Sequence, residues 1–249
     1  MSDIVLSTEN LCKNYAGIRA NHNLNLQLKQ GEIHALIGPN GAGKSTAIAQ
    51  LSGELTPTSG RIFFEDADIT HLAVFERARA GLSRSFQVTS VFDQMSVLDN
   101  LALALQAHQA HSYRFWSSVR HDEQLNQQAF ELGVRFGLET HLDLNAGTLA
   151  HGEKRQLEVA LTMAGNPRVL LLDEPMAGIG SGGSKVLTEM LDGLRGRYTI
   201  LLVEHDMDAV FALADRITVM VYGEIIASGS VAEIRDNEEV QRAYLGETS

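Results

Sequence analysis

Residues Gly38-Pro39-Asn40-Gly41-Ala42-Gly43-Lys44-Ser45-Thr46 satisfy the spacing G-x-x-x-x-G-K-[ST]. A segment of this kind turns tightly enough for successive backbone N–H groups to face inward around phosphate oxygens. The helix expected to follow adds partial positive charge at its N-terminus. Lys44 then reaches the outer phosphates, and the Ser45 hydroxyl can ligate Mg²⁺. The chemistry these residue types suit is the binding of a polyphosphate.

A second constellation lies in Val169-Leu170-Leu171-Leu172-Asp173-Glu174-Pro175, an apolar run ending in two carboxylates. Consecutive strand residues point to opposite sides, so the two acids are expected to do different jobs. Asp173 suits a Mg²⁺ shell, and Glu174 suits a base or positioner for an attacking water. Alone, acids at a strand end are most often a solvated turn. The phosphate loop in the same chain reverses that preference. His205 ends the next apolar run, in Leu202-Val203-Glu204-His205-Asp206. Strand C-termini in a parallel sheet line a common crevice, so its imidazole can reach a terminal phosphate and the water. The competing role is a capping neighbourhood, since Asp206 is a good N-cap for a following helix.

These groups need elements to hold them. Leu24, Leu26 and Leu28 alternate with polar residues and predict a strand, and Ile33–Ile37 predicts a more buried one. A helix is expected after Lys44, closed by Gly53. A turn over Pro57-Thr58-Ser59-Gly60 precedes a short strand at Arg61–Phe64. From Val97 to about Gly165 the apolar period is helical. After Pro167 strands are expected at Val169–Asp173, Thr199–Glu204 and Arg216–Tyr222, with helices at Lys185–Leu194 and Met207–Leu213. This alternation predicts an α/β fold, a mainly parallel sheet covered by helices and interrupted by a helical lobe.

Composition narrows the function classes. The chain has 249 residues and a formal net charge of −11, which argues against nucleic acid as a partner. One cysteine, Cys12, rules out an internal disulfide and fits a reducing compartment. No apolar run approaches the roughly 18 residues of a membrane helix, and the first ten residues lack the layout of a signal peptide. The nine histidines show no metal-ligand spacing. A cytoplasmic protein is expected.

Three further features carry a family resemblance. Leu149-Ala150-His151-Gly152-Glu153 sits some twenty residues before the acidic strand, Gln87 lies in Arg84-Ser85-Phe86-Gln87, and Tyr15 lies in Lys13-Asn14-Tyr15. With the phosphate loop, they make the chain resemble an ATP-binding cassette (ABC) ATPase over essentially its whole length. The resemblance implies a P-loop NTPase core with an antiparallel β subdomain and an inserted α-helical lobe. It assigns 1–86 and 166–249 to the nucleotide-binding core and 87–165 to the lobe, within one ABC ATPase domain. It implies ATP and Mg²⁺, with Tyr15 stacked on adenine and Gly38 to Thr46 around the phosphates. Ser45, Gln87 and Asp173 would serve the metal, and Glu174, His205 and Gln87 hydrolysis. Leu149 to Glu153 would act in trans, on nucleotide held by a second subunit.

The chain departs from the family pattern in places. Ala150 stands for the signature serine, His151 for a glycine and Glu153 for the glutamine, while Gly180 stands where an aspartate usually links the two sites. Within the family it is similar to the ATPases of branched-chain amino-acid importers, through Arg84–Gln87, Val97-Leu98-Asp99-Asn100-Leu101, Leu149–Gly152, Glu204-His205-Asp206-Met207 and Gln241–Glu247. That implies a second ABC ATPase subunit, two transmembrane permeases and, indirectly, an extracytoplasmic solute-binding protein. The chain would be peripheral on the inner face of the membrane. Tyr113, Phe115 and Trp116 are expected to pack on their own lobe, with docking on membrane subunits as the alternative. Lipopolysaccharide-type exporter ATPases and soluble non-transport ABC ATPases stay open as other readings. The absence of a guanine-reading N-K-x-D run weighs against a GTPase.

Overall fold

The computed structural model describes residues 3–85, 91–108 and 122–245. Gln87 and the aromatic group at 113–116 lie outside them. The first part runs β1 (Ile4–Tyr15), β2 (Ile18–Leu24), β3 (Gln27–Lys29), β4 (Ile33–Ile37), α1 (Lys44–Ser52), β5 (Ser59–Phe64), β6 (Ala67–Asp68), α2 (Val74–Ala80) and β7 (Leu82–Arg84). Three helices follow, α3 (Val97–His108), α4 (Glu123–Arg135) and α5 (His151–Met163). The rest is β8 (Val169–Asp173), α6 (Gly180–Asp192), β9 (Thr199–Val203), α7 (Met207–Leu213), β10 (Arg216–Val221), β11 (Glu224–Gly229), α8 (Val231–Arg235) and α9 (Glu238–Leu245). The elements fall into two units, one of residues 1–84, 168–175 and 191–249, the other of 85–167 and 176–190.

The first unit holds both sheets. Its six-stranded sheet has the order β11-β10-β4-β9-β8-β7, parallel throughout except for the β10–β11 hairpin. Every residue of β4, β8 and β9 is buried, as continuous apolar runs require when both sheet faces are covered. Leu36, Leu171, Leu201 and Val203 join a core with Leu6, Leu28, Ile48 and Ile62. Ala35, Ile37, Ile217 and Val219 join a second core with Val210 and Ile234. The antiparallel sheet has the order β2-β1-β5-β6, with β3 also on β1.

The second unit is helical. Helices α3, α4 and α5 contact one another. They bury Val97 and Leu101, then Leu125, Ala129 and Leu132, then Val159, Ala160 and Met163. These positions follow the three-and-four spacing of one apolar stripe per helix.

Several element ends shift by one or two residues from the sequence expectation, and three differences are of another kind. Leu24, Leu26 and Leu28 are all buried, yet the strand breaks at Asn25. Asn25 Oδ1 accepts from Asn10 N at 2.9 Å and Thr8 Oγ1 from Leu26 N at 2.9 Å, so side chains replace two ladder bonds. Helix α6 begins five residues before the expected Lys185, because Gly180 to Ser184 carry no apolar period to announce it. Glu174 is not a strand residue: it follows β8 with φ +46, so a left-handed bend, not strand alternation, aims its side chain.

Candidate active site

The phosphate loop joins β4 to α1, with Gly43 (φ +97) as the N-cap of α1 and no side chain capping it. A Cβ on Gly43 would lie 2.2 Å from Ala20 O, and one on Gly38 2.1 Å from Met220 O, so only glycine allows these approaches. Lys44 is buried, and its Nζ donates to Gly38 O at 2.6 Å and Pro39 O at 3.0 Å, which closes the loop on itself. Asn21 Nδ2 donates to Gly43 O at 3.0 Å, and Gln50 Nε2 to Asn21 Oδ1 at 2.7 Å. Both side chains are fully buried, a brace that a lone asparagine and glutamine gave no pattern to announce.

A cavity of about 360 Å³ opens over this loop. Asn40, Gly41, Ala42, Gly43, Lys44, Ser45, Thr46 and Glu174 line it together with residues of β2 and the β10–β11 turn. The structure thus brings seven loop residues and one of the two acids to one space. Tyr15, Asp173 and His205 are not among its lining residues. Tyr15 sits at the end of β1, 46% exposed, with Lys13 Nζ 5.4 Å from its ring centroid.

The acids part company as the sequence suggested, by different geometry. Asp173 is buried, and its Oδ2 accepts from Arg84 Nη2 at 2.8 Å. Arg84 also gives Nη1 to Glu54 Oε2 at 2.6 Å. The Glu174 backbone N donates to Val203 O at 2.8 Å, fixing the bend at a residue that lines the cavity. His205 Nδ1 lies 4.0 Å from Glu174 Oε1 and 3.8 Å from Glu204 Oε2. Glu204 is fully buried and accepts from the backbone N of His205 at 2.9 Å and of Asp206 at 3.3 Å. Asp206 Oδ1 in turn caps α7 through Asp208 N and Ala209 N. His205 therefore has both the capping neighbourhood and the approach to Glu174.

Among the described residues, no group of three or more His, Cys, Asp or Glu is arranged to hold a metal ion by itself. A hard cation carried on a polyphosphate needs only one or two protein oxygens, because phosphates and waters fill its shell. Ser45 and Asp173 are oxygen donors of that kind.

In the helical unit, Leu149 to Glu153 form the entry to α5. Ala150 is the N-cap and Glu153 Oε2 accepts from Ala150 N at 2.8 Å. Only half of a capping box exists, since alanine has no hydroxyl to answer. Ser230 and Glu233 at the start of α8 show the whole box. His141 Nε2 lies 3.1 Å from Glu153 Oε1 and holds the carboxylate over the helix end. A Cβ on Gly152 would lie 3.7 Å from Gly183 Cα, so the helix entry runs close along α6.

The sequence pattern of the ABC transporter family matches residues 21–177, which contain the phosphate loop, the α5 entry and the acidic strand end. The chain belongs to the ABC transporter family. It is an ATP-binding, ATP-hydrolysing cassette, and the α/β core with antiparallel subdomain and helical insertion bears out the fold that the sequence implied. Residues 224–248 match a second pattern, described as a branched-chain amino acid ATP-binding cassette transporter. The chain is 40% identical to the high-affinity branched-chain amino acid transport ATP-binding protein LivG of Escherichia coli, over 99% of this chain and 100% of LivG. It is 35% identical to BraF of Pseudomonas aeruginosa, a protein of the same description, over 99% and 100%. The lipopolysaccharide export system ATP-binding protein LptB of Escherichia coli is also 35% identical, over 97% of each chain. Among solved structures, an ABC transporter cassette in its ADP conformation superposes with a TM-score of 0.87 at 29% identity, covering 98% of this chain and 100% of that one. No helix among the described residues is long and apolar enough to cross a membrane.

Proposed function

We propose that this ABC ATPase is one subunit of an importer for branched-chain or related hydrophobic amino acids. It pairs with a second cassette ATPase, sits on two permease subunits at the inner face of the membrane, and serves an extracytoplasmic solute-binding protein. The observation that carries this reading is the 40% identity to LivG across the full length of both chains, supported by the match at 224–248.

The residues take the following roles. Backbone N–H groups of Gly41 to Thr46 and the ammonium of Lys44 bind the β- and γ-phosphates, the ammonium exchanging its loop carbonyls for phosphate oxygens. Ser45, Asp173 and Gln87 would hold Mg²⁺, which when bound would supply positive charge against the phosphates. Glu174 accepts the proton of the attacking water as the β–γ bridging oxygen leaves with its electron pair. His205, on the same side as Glu174, donates to the γ-phosphate. Tyr15 stacks on adenine, and Leu149, Ala150, His151, Gly152 and Glu153 close on the nucleotide of the partner subunit. With Ala150 lacking a hydroxyl, backbone N–H groups near Gly152 carry that contact. Nucleotide bridges the two subunits, and hydrolysis releases the bridge. In this reading 1–86 and 166–249 form the ATP-binding core and 87–165 the lobe that faces the permeases.

The 35% identity to LptB supports a second reading, an exporter ATPase. Co-purification of the tagged chain from membranes of its native host separates the two. Recovery with two multi-span permeases and a second cassette ATPase, whose complex stimulates ATP turnover when a loaded binding protein is added, is the expected result. Recovery with a lipopolysaccharide-export permease pair, or with no membrane protein, overturns the importer reading.

A further inference from the structure

Tyr222 occupies a position that a tyrosine ordinarily avoids. It lies between β10 and β11, where Val221 pairs with Glu224, so Tyr222 and Gly223 form a two-residue hairpin turn. Their φ values are +48 and +83. Such turns favour Asn, Asp or Gly, and a bulky residue in the left-handed region is an outlier of the kind that collects at functional sites. The tyrosine is also 90% exposed, so packing does not account for it.

The turn is fastened to the phosphate loop. Gly223 N donates to Ala42 O at 3.0 Å, and Gly223 O accepts from His22 N on β2 at 2.8 Å. His22 Nδ1 lies 2.7 Å from Glu224 Oε1 just beyond the turn. Tyr222 therefore projects from a backbone held on two sides, and it lines the same cavity as the loop. The lining divides by chemistry. Gly41 to Thr46 offer N–H, hydroxyl and ammonium donors, which suit phosphates. Ile18, Ala20 and Tyr222, with Arg19 beside them, offer apolar and aromatic surface, which suits a base or a sugar ring.

We propose that Tyr222 is a nucleoside-binding residue, an aromatic wall against the base or ribose of the nucleotide whose phosphates the loop holds. The proposal rests on the reading of Gly38–Thr46 as the phosphate site. It gives this cassette a second aromatic contact besides Tyr15, one contributed by the β10–β11 turn. The ring supplies stacking or edge contact, and its hydroxyl has a hydrogen bond to offer a sugar oxygen.

Calorimetric titration of the full chain with ATP and with inorganic tripolyphosphate tests it. Tyr222→Ala is expected to weaken ATP by about five- to thirtyfold, in line with an aromatic–base contact, and to leave tripolyphosphate affinity unchanged. Tyr222→Phe is expected to keep most ATP affinity. Tyr222→Asn, a residue that suits the turn, is expected to behave as the alanine variant does, which separates the ring from the backbone. Equal ATP affinity in wild type and Tyr222→Ala overturns the proposal. So does an equal loss for ATP and tripolyphosphate, which reports a distorted loop instead of a lost ring. Lys44→Ala is the control for the underlying reading: if it keeps wild-type affinity for both ligands, the phosphate site itself is wrong.

Discussion

Arg84 Nη2 donates to Asp173 Oδ2 at 2.8 Å, joining the last residue of β7 to the last residue of β8. Both side chains are nearly excluded from solvent, at 7% and 1% exposure. Removing one member of a buried pair costs about 3–5 kcal/mol, because the remaining charge keeps its desolvation penalty. Arg84→Met is therefore expected to lower unfolding stability by about that amount in a urea titration, and adding Asp173→Asn is expected to recover part of it. Additive losses in the double variant would show that the two groups do not act as a pair.

In the proposed mechanism Glu174 separates binding from hydrolysis. Glu174→Gln keeps the size of the side chain and removes the proposed base, so phosphate release is expected to fall by roughly a hundredfold or more. ATP affinity is expected to hold or rise, and nucleotide-bound dimer to accumulate on size exclusion with Mg²⁺ and the partner ATPase. Wild-type turnover in this variant would take Glu174 out of the mechanism.

Arg77 on α2 is fully enclosed and satisfies four backbone carbonyls, those of Gln50, Leu51, Thr70 and Leu72. Burial pulls its guanidinium down to about 10, against the opposing influence of Asp68, so it stays charged at neutral pH. Arg77→Met strips these acceptors of their donors and is expected to cost about 2–4 kcal/mol. Arg77→Lys restores the charge without the planar fork and is expected to recover only part. Thermal and urea unfolding of the three proteins reads the series directly.

Acid stability has an identifiable contributor in Glu32. Burial pushes its carboxyl up, but hydrogen bonds from His34 and from Lys29 N, with the charges of His34 and Arg216, leave it below its ordinary 4.5. A carboxyl depressed in the folded state binds protons less readily there than when unfolded. Its contribution is therefore present above pH 4.5 and is lost as pH falls through the lower folded value. Glu32→Gln is expected to be less stable than wild type at pH 6, with the gap closing as pH falls from 4.5 through the lower folded value. A constant stability gap across that range would assign the loss to packing alone.

The sequence made the buried strands that lead to Glu174 and His205 legible, because continuous apolar runs such as Leu170–Leu172 and Ile200–Val203 leave few alternatives to buried parallel strands. Strand β8 and helix α7 follow the expected bounds. What escaped is what pairing and burial decide. Asn21, Gln50 and Arg77 are polar residues with no periodic signal, and only the packed structure shows that each is enclosed and satisfies another group. The early start of α6 was hidden for a related reason, since glycine and serine give no apolar period. Tyr222 stood at the edge of an expected strand, and its left-handed turn depends on a register with Glu224 that one strand alone cannot reveal.

The guanidinium of Arg77 also has a mechanical meaning. By clamping Gln50 O and Leu51 O, it pins the far end of a helix whose near end begins at Lys44. At 1.5 Å per residue the helix is about 13 Å long, and it cannot shed strain by fraying its last turn. The same side chain ties that helix end to α2 and to the carbonyls of Thr70 and Leu72. The arginine acts as a pivot at the end of a lever.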